Sequence, residues 1–301
     1  MTTISLLAPK RFPTLPEIAG VKLAAGACGL RYKGRSDVML AELAAGTAVA
    51  GVFTRSLTAA APIDWCRAAL KSGRVRAIVV NSGNANAFTG RVGELAVQDT
   101  VKAAAKVIGC QKNQIFVSST GVIGEPLPVE RLTKALPRLK EKLSPKSWKA
   151  AATAIMTTDT FPKGATRAAE IDGVTVTLNG FSKGSGMIAP DMATMLGYVF
   201  TDAKIAQPVL QKALTAATDK SFNAITVDSD TSTSDTVLLC ATGKARHREV
   251  SALGDPRFKD FRRALESIMV DLAQQIVRDG EGASKFVEVT VTGAASSTAA
   301  K

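Results

Sequence analysis

The 301-residue sequence has one histidine, His247, and four cysteines that are scattered along the chain without CxxC spacing. A Ser-His-Asp triad or a multi-histidine metal site would have to use this histidine, and it lies in the basic run KARHRE, where we expect a surface segment without a catalytic role. Neither a disulfide framework nor a zinc site is indicated by the cysteine spacing. We expect buried free thiols at Cys28, Cys66, Cys110 and Cys240.

Long apolar runs and nucleotide-binding loops are also missing. Because no run of eighteen apolar residues occurs, no membrane span or membrane partner is predicted. The N-terminal stretch MTTISLLAPKRFPTLPEIAG lacks the apolar core of a secretory signal, which favours a cytoplasmic protein. Neither GxGxxG nor GxxxxGK[ST] is present, and we expect no cofactor and no metal.

Charge of one sign is in excess, with a formal net charge of +12. Such a balance raises the possibility of a nucleic-acid-binding protein. Residues 131–149 hold much of the excess, with seven basic residues against one acid, but no aromatic residues alternate with them in a binding motif. We interpret this segment as a solvated helical face and expect no nucleic-acid partner. A basic nucleic-acid-binding protein stays the least favoured alternative.

What is present is a globular composition, with 46% hydrophobic residues, and an alternation of short β-branched runs with helical periodicities. This pattern predicts an α/β (or α+β) fold of layered sheets sandwiched with helices. Helices are predicted at 94–108, 207–219 and 256–277, the last with Asp255 as its N-cap. Strands are predicted at 75–80, 114–124, 173–180, 194–200, 224–230, 236–243 and 285–293.

The stretch SGMIAPDMATMLGYVF, residues 185–200, contains a single threonine between Ala193 and Met195. A threonine at a chain N-terminus carries its own base, the α-amine, whose ordinary pKa is roughly 7.7–8.0. Thr194 would become N-terminal if its hydroxyl attacked the Ala193 carbonyl and water opened the resulting ester. From the residues alone, a packed core threonine is the alternative interpretation.

The stretch TVDSDTSTSD, residues 226–235, carries three aspartates among hydroxyl residues. Three carboxylates suggest a divalent metal site, but the spacing lacks the EF-hand pattern. We therefore favour a hydroxyl-rich turn network over a metal site.

Six motifs, in order, resemble those of the ornithine acetyltransferase family, whose members are bifunctional glutamate N-acetyltransferases of arginine biosynthesis. They are NSGNANAFTG, SSTGVIGEPLP, IMTTDTFPK, KGSGMIAPDMATML, SFNAITVDSDTSTSDT and VRDGEGASKF, and they extend over essentially the whole chain. The resemblance implies a self-processing fold with an N-terminal threonine nucleophile, related to that of the DmpA aminopeptidases. An aminopeptidase or amidohydrolase, which would transfer the acyl group to water, is the competing enzyme interpretation.

The resemblance further implies cleavage between Ala193 and Thr194, which would leave an α chain of residues 1–193 and a β chain of residues 194–301. Thr194 would then take acetyl from N-acetylornithine and pass it to glutamate. Because many family members also accept acetyl-CoA, the resemblance implies acetyl-CoA as a possible second donor. It also implies an α₂β₂ assembly of the two chains.

Site residues follow from the same resemblance. The family's oxyanion-hole threonine and glycine match Thr120 and Gly121. Because the substrates are zwitterions with a charged side chain, we assign Lys183 to a substrate carboxylate and Glu281 to an ammonium. The substrate-binding positions of the family match Thr157, Lys183, Thr194 and Glu281.

The sequence departs from the family at a few positions. The family usually has glycine at Ser229 and asparagine at Ser234, and it often has asparagine at Asp191 and cysteine at Phe88. Family members also continue beyond TGAASSTAAK with a stretch that contains an NWGR motif and contributes to the pocket. We therefore expect part of the β layer and one pocket wall to be absent from these 301 residues.

Overall fold

The computed structural model describes residues 3–189 and 195–300, and it contains two β-sheets. The strands are β1 (Val21–Gly26), β2 (Val38–Leu43), β3 (Ala48–Phe53), β4 (Ala77–Asn84), β5 (Ile115–Val122), β6 (Lys163–Ile171), β7 (Val174–Lys183), β8 (Leu196–Thr201) and β9 (Thr236–Ala241). Sheet A has the order β1-β2-β4-β5, and sheet B has the order β3-β9-β8-β7-β6.

Helices connect and cover the sheets. They are α1 (Ala61–Leu70), α2 (Gly90–Ile108), α3 (Val129–Glu141), α4 (Trp148–Ala154), α5 (Gln207–Asp219), α6 (Lys259–Arg278) and α7 (Ser297–Ala300). Across the two described ranges, no helix combines the length and the apolar character needed to cross a membrane.

Most strand pairs are antiparallel, but β4 pairs with β5 and β8 pairs with β9 in parallel. Parallel neighbours need a crossover connection, because the chain must return to the starting end of the sheet. Helix α2 lies in the first crossover and α5 in the second. The carboxyl ends of β4 and β5 therefore lie at one edge of sheet A, and the starts of β8 and β9 lie at one edge of sheet B.

Period-two alternation divides the side chains of sheet B between two core clusters. Tyr198 and Phe200 of β8 belong to the cluster that contains sheet A, whereas Val199 belongs to the cluster that contains α5 and α6. In sheet A, Val117 of β5 faces α2 and α3, while the neighbouring Ser118 lies beside the phenol of Tyr198. The layers are thus helices, sheet A, sheet B and helices, which confirms the predicted fold class.

The predicted helices and most predicted strands are confirmed, with shifted ends. Helix α2 begins at Gly90 and ends at Ile108, and its C-cap Gly109 has a φ of 75°, the left-handed conformation expected of a glycine stop. Strand β4 continues through Asn84, four residues beyond the prediction. Asp255 is a cap, as predicted, and its carboxylate accepts the Arg257 amide of a short 3₁₀ turn that precedes α6.

Two predicted strands are wrong. Residues 224–230 form a loop after a 3₁₀ turn, and β9 pairs instead with β3 and β8. Residues 285–293 alternate, but they pair with no strand in the described part of the chain, and Val287 and Val289 are exposed. Alternation marks a side-chain face that could be buried, whereas a strand also needs a backbone partner for its amides and carbonyls.

His247 differs from expectation in its burial, because it is only 7% exposed although its charged neighbours are on the surface. Nε2 accepts a hydrogen bond from the Lys204 amide at 3.0 Å, and Nδ1 donates to the Arg248 carbonyl at 2.8 Å. Lys204 follows the far end of β8, so the imidazole is a structural group at that end. All four cysteines are free thiols, as predicted; Cys66 and Cys240 are buried, whereas Cys28 and Cys110 are half-buried.

Candidate active site

Three strands of sheet B have neighbouring ends at the edge where β8 begins. Lys183, the last residue of β7, pairs with Leu196, the first residue of β8, which in turn pairs with Thr236, the first residue of β9. Met195 is buried directly before β8. Ala193 and Thr194 lie outside the described residues, but the peptide bond between Thr194 and Met195 ties the predicted nucleophile to this edge.

Two carboxylates from the loop before β9 bind the backbone on both sides of residues 190–194. Asp228 accepts the amides of Met187 and Ile188 at 2.5 and 2.8 Å. Asp235 Oδ1 accepts the amide of Met195 at 2.7 Å. Within residues 226–235 a hydroxyl also takes part, because Ser232 Oγ accepts the Ser234 amide at 3.0 Å.

Two of the positions that depart from the family have an unusual backbone. Ser229, where the family usually has glycine, has a φ of 65°, and Phe88, where it often has cysteine, has a φ of 56°. Both values lie in the left-handed region that favours glycine. Ser234 is buried with its hydroxyl 3.1 Å from that of Thr233, and Asp191 lies outside the described residues.

Lys183 connects the two sheets at the candidate site. It is 2% exposed, and its Nζ donates to Thr120 Oγ1 at 3.2 Å. Burial lowers the pKa of this lysine, because a charged amine is costly away from water, and the negative charges of Asp159, Asp235 and Glu281 oppose the change. The buried ammonium therefore depends on the carboxylates around it.

Asp159 connects several parts of the site. One carboxylate oxygen accepts Lys163 Nζ at 2.6 Å and the Gly184 amide at 2.7 Å, and the other accepts the Thr157 amide at 3.1 Å. Burial alone would raise the pKa of Asp159, but the ammonium groups of Lys163 and Lys183 outweigh it and hold the pKa below its ordinary value. The ionised carboxylate thereby fixes the backbone at two predicted site positions, Thr157 and the end of β7.

Lys163 forms a fully buried ion-pair cluster with Asp159 and Asp279. Its Nζ lies 2.5 Å from Asp279 Oδ2, and all three side chains are inaccessible to solvent. Asp279 also accepts hydrogen bonds from the amide and the hydroxyl of Thr160. None of these three charged residues was singled out in the sequence, although IMTTDTFPK and VRDGEGASKF contain them.

Glu281 lies on the turn that follows Asp279. Its amide donates to the Ser185 carbonyl at 2.8 Å, which ties this turn to the segment after β7. Its carboxylate covers Gly186, where a Cβ atom would lie 3.0 Å from Glu281 Cδ. A glycine at position 186 therefore leaves the carboxylate room to lie against the backbone.

A cavity of about 720 Å³ contains two of the predicted site residues, Thr157 and Glu281. This volume falls within the usual range for small-molecule sites. Thr120, Gly121 and Lys183 are not among its lining residues; they lie at the sheet edges. The cavity is lined by Thr3, Ile4, Ser5, Leu6, Tyr32, Thr157, Thr158, Thr160, Asp279, Gly280, Glu281, Gly282, Ala283 and Ser284.

Thr120 and Gly121, the predicted oxyanion donors, lie near the carboxyl end of β5. Thr120 Oγ1 accepts from Lys183, so its own proton is free to be donated to another acceptor. Gly121 has a φ of 130°, and a Cβ there would lie 2.4 Å from the carbonyl carbon of Gly83. Only glycine fits this close approach of β5 to β4.

Asp235 is a third carboxylate, after Asp159 and Asp279, that the sequence analysis did not single out. Its side chain is fully buried, and burial raises its pKa to about 7 against the lowering effects of the Met195 amide, the hydroxyls of Ser232 and Thr54, and the Lys183 ammonium. Within residues 3–189 and 195–300, no donor makes a hydrogen bond of normal geometry to Oδ2. The signal in the sequence was its place at the end of the TVDSDTSTSD run.

The four layers of helices, sheet A, sheet B and helices define a fold of the N-terminal nucleophile hydrolase type. It is similar to the L-aminopeptidase D-Ala-esterase/amidase of Ochrobactrum anthropi, described as a new variant among the Ntn hydrolase fold, with a TM-score of 0.55 and 12% identity over 91% of this chain and 89% of that one. At this identity the likeness shows the fold alone, and it confirms the predicted relation to the DmpA-type aminopeptidases.

Residues 22–301 match the ArgJ family, and the chain belongs to this family of bifunctional arginine-biosynthesis enzymes. It is 58% identical to the arginine biosynthesis bifunctional protein ArgJ of Ruegeria pomeroyi and 54% identical to that of Bradyrhizobium diazoefficiens, in each case over 100% of this chain and 73% of the relative. The predicted resemblance to the ornithine acetyltransferases is thereby confirmed.

Two solved structures agree with this membership. The ornithine acetyltransferase of Mycobacterium tuberculosis, complexed with ornithine, is 32% identical with a TM-score of 0.50, and the match covers 57% of this chain and 92% of that chain. The ArgJ protein of Bacillus halodurans is 31% identical with a TM-score of 0.53, over 58% and 92%.

Proposed function

We propose that the protein is a self-cleaving acetyltransferase that moves acetyl from N-acetylornithine to glutamate through an acetyl ester on Thr194. Membership of the ArgJ family and the ornithine-bound relative support this substrate class. The observation that carries the proposal is the contact between Lys183 and Thr120, at the sheet edge where β8 begins.

Self-cleavage begins when Thr194 Oγ attacks the Ala193 carbonyl carbon. The bond from that carbon to the Thr194 nitrogen breaks, the nitrogen takes a proton, and an ester remains on Oγ. Water then adds to the ester, which releases the Ala193 carboxylate and restores the threonine hydroxyl beside a free α-amine. The bonds of Asp228 to Met187 and of Asp235 to Met195 support this step, because they anchor the described residues on either side of the scissile bond.

Acetyl transfer uses the same hydroxyl. The α-amine takes the Oγ proton while Oγ attacks the acetyl carbonyl, and the proton then passes to the ornithine nitrogen as that group leaves. The α-amine of glutamate attacks the acetyl ester in the second half, which forms N-acetylglutamate and regenerates Thr194. The Thr120 hydroxyl and the Gly121 amide stabilise the oxyanion of each tetrahedral intermediate.

Charged groups recognise the two amino-acid substrates. Lys183 uses one of its three donors on Thr120, which leaves donors for a substrate carboxylate. Glu281, on the wall of the cavity, binds the substrate ammonium, and Thr157 lines the same wall. Asp159 keeps this arrangement in place, because it binds the Thr157 and Gly184 amides together.

We extend the proposal to three further properties that the family resemblance supports. Acetyl-CoA serves as an alternative acetyl donor, the cleaved chains assemble as α₂β₂, and the enzyme works in the cytoplasm. The steps above need no cofactor.

The intact mass of the purified protein tests self-cleavage. Wild type gives two chains, the second beginning Thr-Met-Leu-Gly, whereas Thr194→Ala gives one uncut chain and Thr194→Ser is still cut. Thr215→Ala, an exposed substitution on α5, is the matched control and is cut like wild type. A single wild-type mass, or clean cutting of Thr194→Ala, contradicts the proposal.

A second assay separates transfer from hydrolysis. Incubation with N-acetylornithine releases ornithine, and release depends on glutamate if the enzyme is a transferase. Equal release with and without glutamate would identify an amidohydrolase that uses water as the acceptor.

A further inference from the structure

The carboxyl group of Asp235 binds the backbone amide of Met195, the residue that follows the proposed nucleophile in the chain. Its Oδ1 is 2.7 Å from the Met195 amide nitrogen, and only the Thr194 carbonyl carbon stands between that nitrogen and Thr194 Cα. Standard bond lengths put this Cα about 2.4 Å from the Met195 nitrogen. The α-amine that self-cleavage would create is one bond further, within reach of the same carboxyl group.

Within residues 3–189 and 195–300, the second oxygen of this carboxyl group has no donor at normal hydrogen-bond geometry. Asp235 Oδ2 is buried, and no group in the described ranges makes a normal hydrogen bond to it. The hydroxyls of Ser232 and Thr54 lie near this carboxyl group and lower its pKa, but neither makes a hydrogen bond of normal geometry to Oδ2. The Thr54 hydroxyl donates to the Ser232 carbonyl, and Lys183 donates to Thr120. Buried carboxylate oxygens are almost always hydrogen-bonded, so a donor is expected at this position.

We propose that Asp235 is a positioning residue whose free oxygen binds the α-amine of Thr194 after self-cleavage. This inference rests on the proposed function, because the amine exists only in the cleaved enzyme. Oδ1 continues to hold the Met195 amide, so one carboxylate fixes both the backbone and the amine of the nucleophile. The amine is thereby aimed at the proton of its own hydroxyl.

The electrostatics of the site suit this pairing. The pKa of Asp235, raised by burial to about 7, lies close to the ordinary α-amine value of roughly 7.7–8.0. Lys183 is the charged group that acts on Asp235 from β7, and the Met195 amide, Thr54 and Ser232 contribute neutral donors. A new ammonium beside the carboxyl favours its ionised form, so self-cleavage should lower the pKa of Asp235.

The test compares the Asp235 carboxyl before and after cleavage. Protein with ¹³C-labelled aspartate is titrated by NMR as the cleaved wild type and as the uncut Thr194→Ala chain, and Asp235→Asn in the uncut background assigns the resonance. An opposite charge at contact distance typically shifts a pKa by about 1–3 units. We expect the pKa of Asp235 to be lower by about one unit or more in the cleaved enzyme.

The sign of the shift is informative, because the new Ala193 carboxylate would raise the pKa of Asp235 instead. An equal or higher pKa in the cleaved enzyme overturns the inference while leaving the proposed function intact. A wild-type chain that stays in one piece overturns both.

Kinetics provide a second readout. Asn at position 235 keeps an oxygen for the Met195 amide but loses the charge, so cleaved Asp235→Asn enzyme should lose about tenfold or more in kcat with KM for N-acetylornithine retained. Asp230→Asn, an exposed change in the same loop, should match wild type in both constants. Normal kcat in cleaved Asp235→Asn enzyme also overturns the inference.

Discussion

Lys183 at the end of β7 donates a hydrogen bond to the Thr120 hydroxyl of β5, at 3.2 Å, and this contact joins the two sheets at the candidate site. The two residues are 63 positions apart in the chain. The ammonium withdraws electron density from the hydroxyl that accepts its bond, which makes the remaining proton of Thr120 a stronger donor. The predicted oxyanion donor and the predicted substrate-binding lysine therefore act as one unit.

Removal of the Thr120 hydroxyl should affect catalysis more than binding. Thr120→Ala should lower kcat for acetyl transfer by roughly 10²–10³, because an oxyanion donor acts mainly in the transition state. Thr120→Ser keeps the hydroxyl and should retain most of the activity. Steady-state kinetics with N-acetylornithine and glutamate measure both variants. A large rise in KM with unchanged kcat would place Thr120 in substrate binding.

Loss of the Lys183 charge should strongly reduce the rate of acetyl transfer. Truncating one partner of a buried charge arrangement costs about 2–5 kcal/mol, so Lys183→Met should reduce kcat/KM by at least about thirtyfold. Lys142→Met, an exposed change just after α3, is the control and should behave like wild type. Near-normal transfer in Lys183→Met would show that the carboxylate-binding role is wrong even though the family is right.

Glu281 should act through substrate affinity. Its side chain is exposed on the cavity wall in the free protein, so Glu281→Gln should leave the fold unchanged and raise KM for N-acetylornithine. Glu288→Gln removes a charge seven residues further along and is the matched control. Unchanged KM in Glu281→Gln would remove this residue from the ammonium site.

The buried cluster around Lys163 should contribute to stability. Lys163→Met leaves the carboxylates of Asp159 and Asp279 without their shared cation, and breaking a buried ion pair in this way costs about 3–5 kcal/mol of unfolding free energy. Lys220→Met breaks an exposed pair with Glu266 and should cost about 0–1 kcal/mol. Urea denaturation of both variants measures the difference, and equal losses would contradict the prediction.

Asp235 should give the uncut protein a characteristic pH dependence. Its folded pKa of about 7 lies above the unfolded value of about 3.9, so the folded state holds an extra proton between these pH values. The contribution of Asp235 to stability is therefore full below about pH 4 and is lost as the pH rises through 7. In the Thr194→Ala chain, Asp235→Asn should flatten this part of the curve.

Urea midpoints between pH 4.5 and 7.5 measure the effect. Asp230→Asn in the same background is the control for the loss of a carboxylate from this loop. Identical pH curves for Asp235→Asn and its parent would show that Asp235 is ionised in the folded protein throughout this range.

The local pattern of apolar residues was sufficient to predict elements whose formation does not depend on identifying the neighbouring strand or helix. The apolar stripe of α6 and the β-branched run of β4 predicted both elements, because each pattern reports which face of an element is buried. The same reasoning predicted strands at 224–230 and 285–293, and both predictions are wrong. Whether an alternating segment becomes a strand depends on an available edge, which is set by residues far away in the chain.

The burial of the charged side chains around Lys163 could not be predicted from the sequence either. Asp159 and Lys163 have the spacing of an ordinary surface pair, and Asp279 lies in a turn more than a hundred residues later. Only the packing of β6 against the turn after α6 brings these three side chains together without water. A pKa change that depends on such desolvation cannot be predicted from a linear order of residues.

The sequence by itself determined the family, the candidate nucleophile and the residues that match the oxyanion hole and the substrate site, because motifs keep reactive residue types in a fixed order. The tertiary structure decided how those residues act on one another. The register between β7, β8 and β9 places Lys183, Met195 and Asp235 at one edge of sheet B. The packing of the two sheets brings Lys183 within hydrogen-bond distance of Thr120. Hydrogen bonds and charge effects act over a few ångströms, so they depend on which strands pair and not on position in the chain.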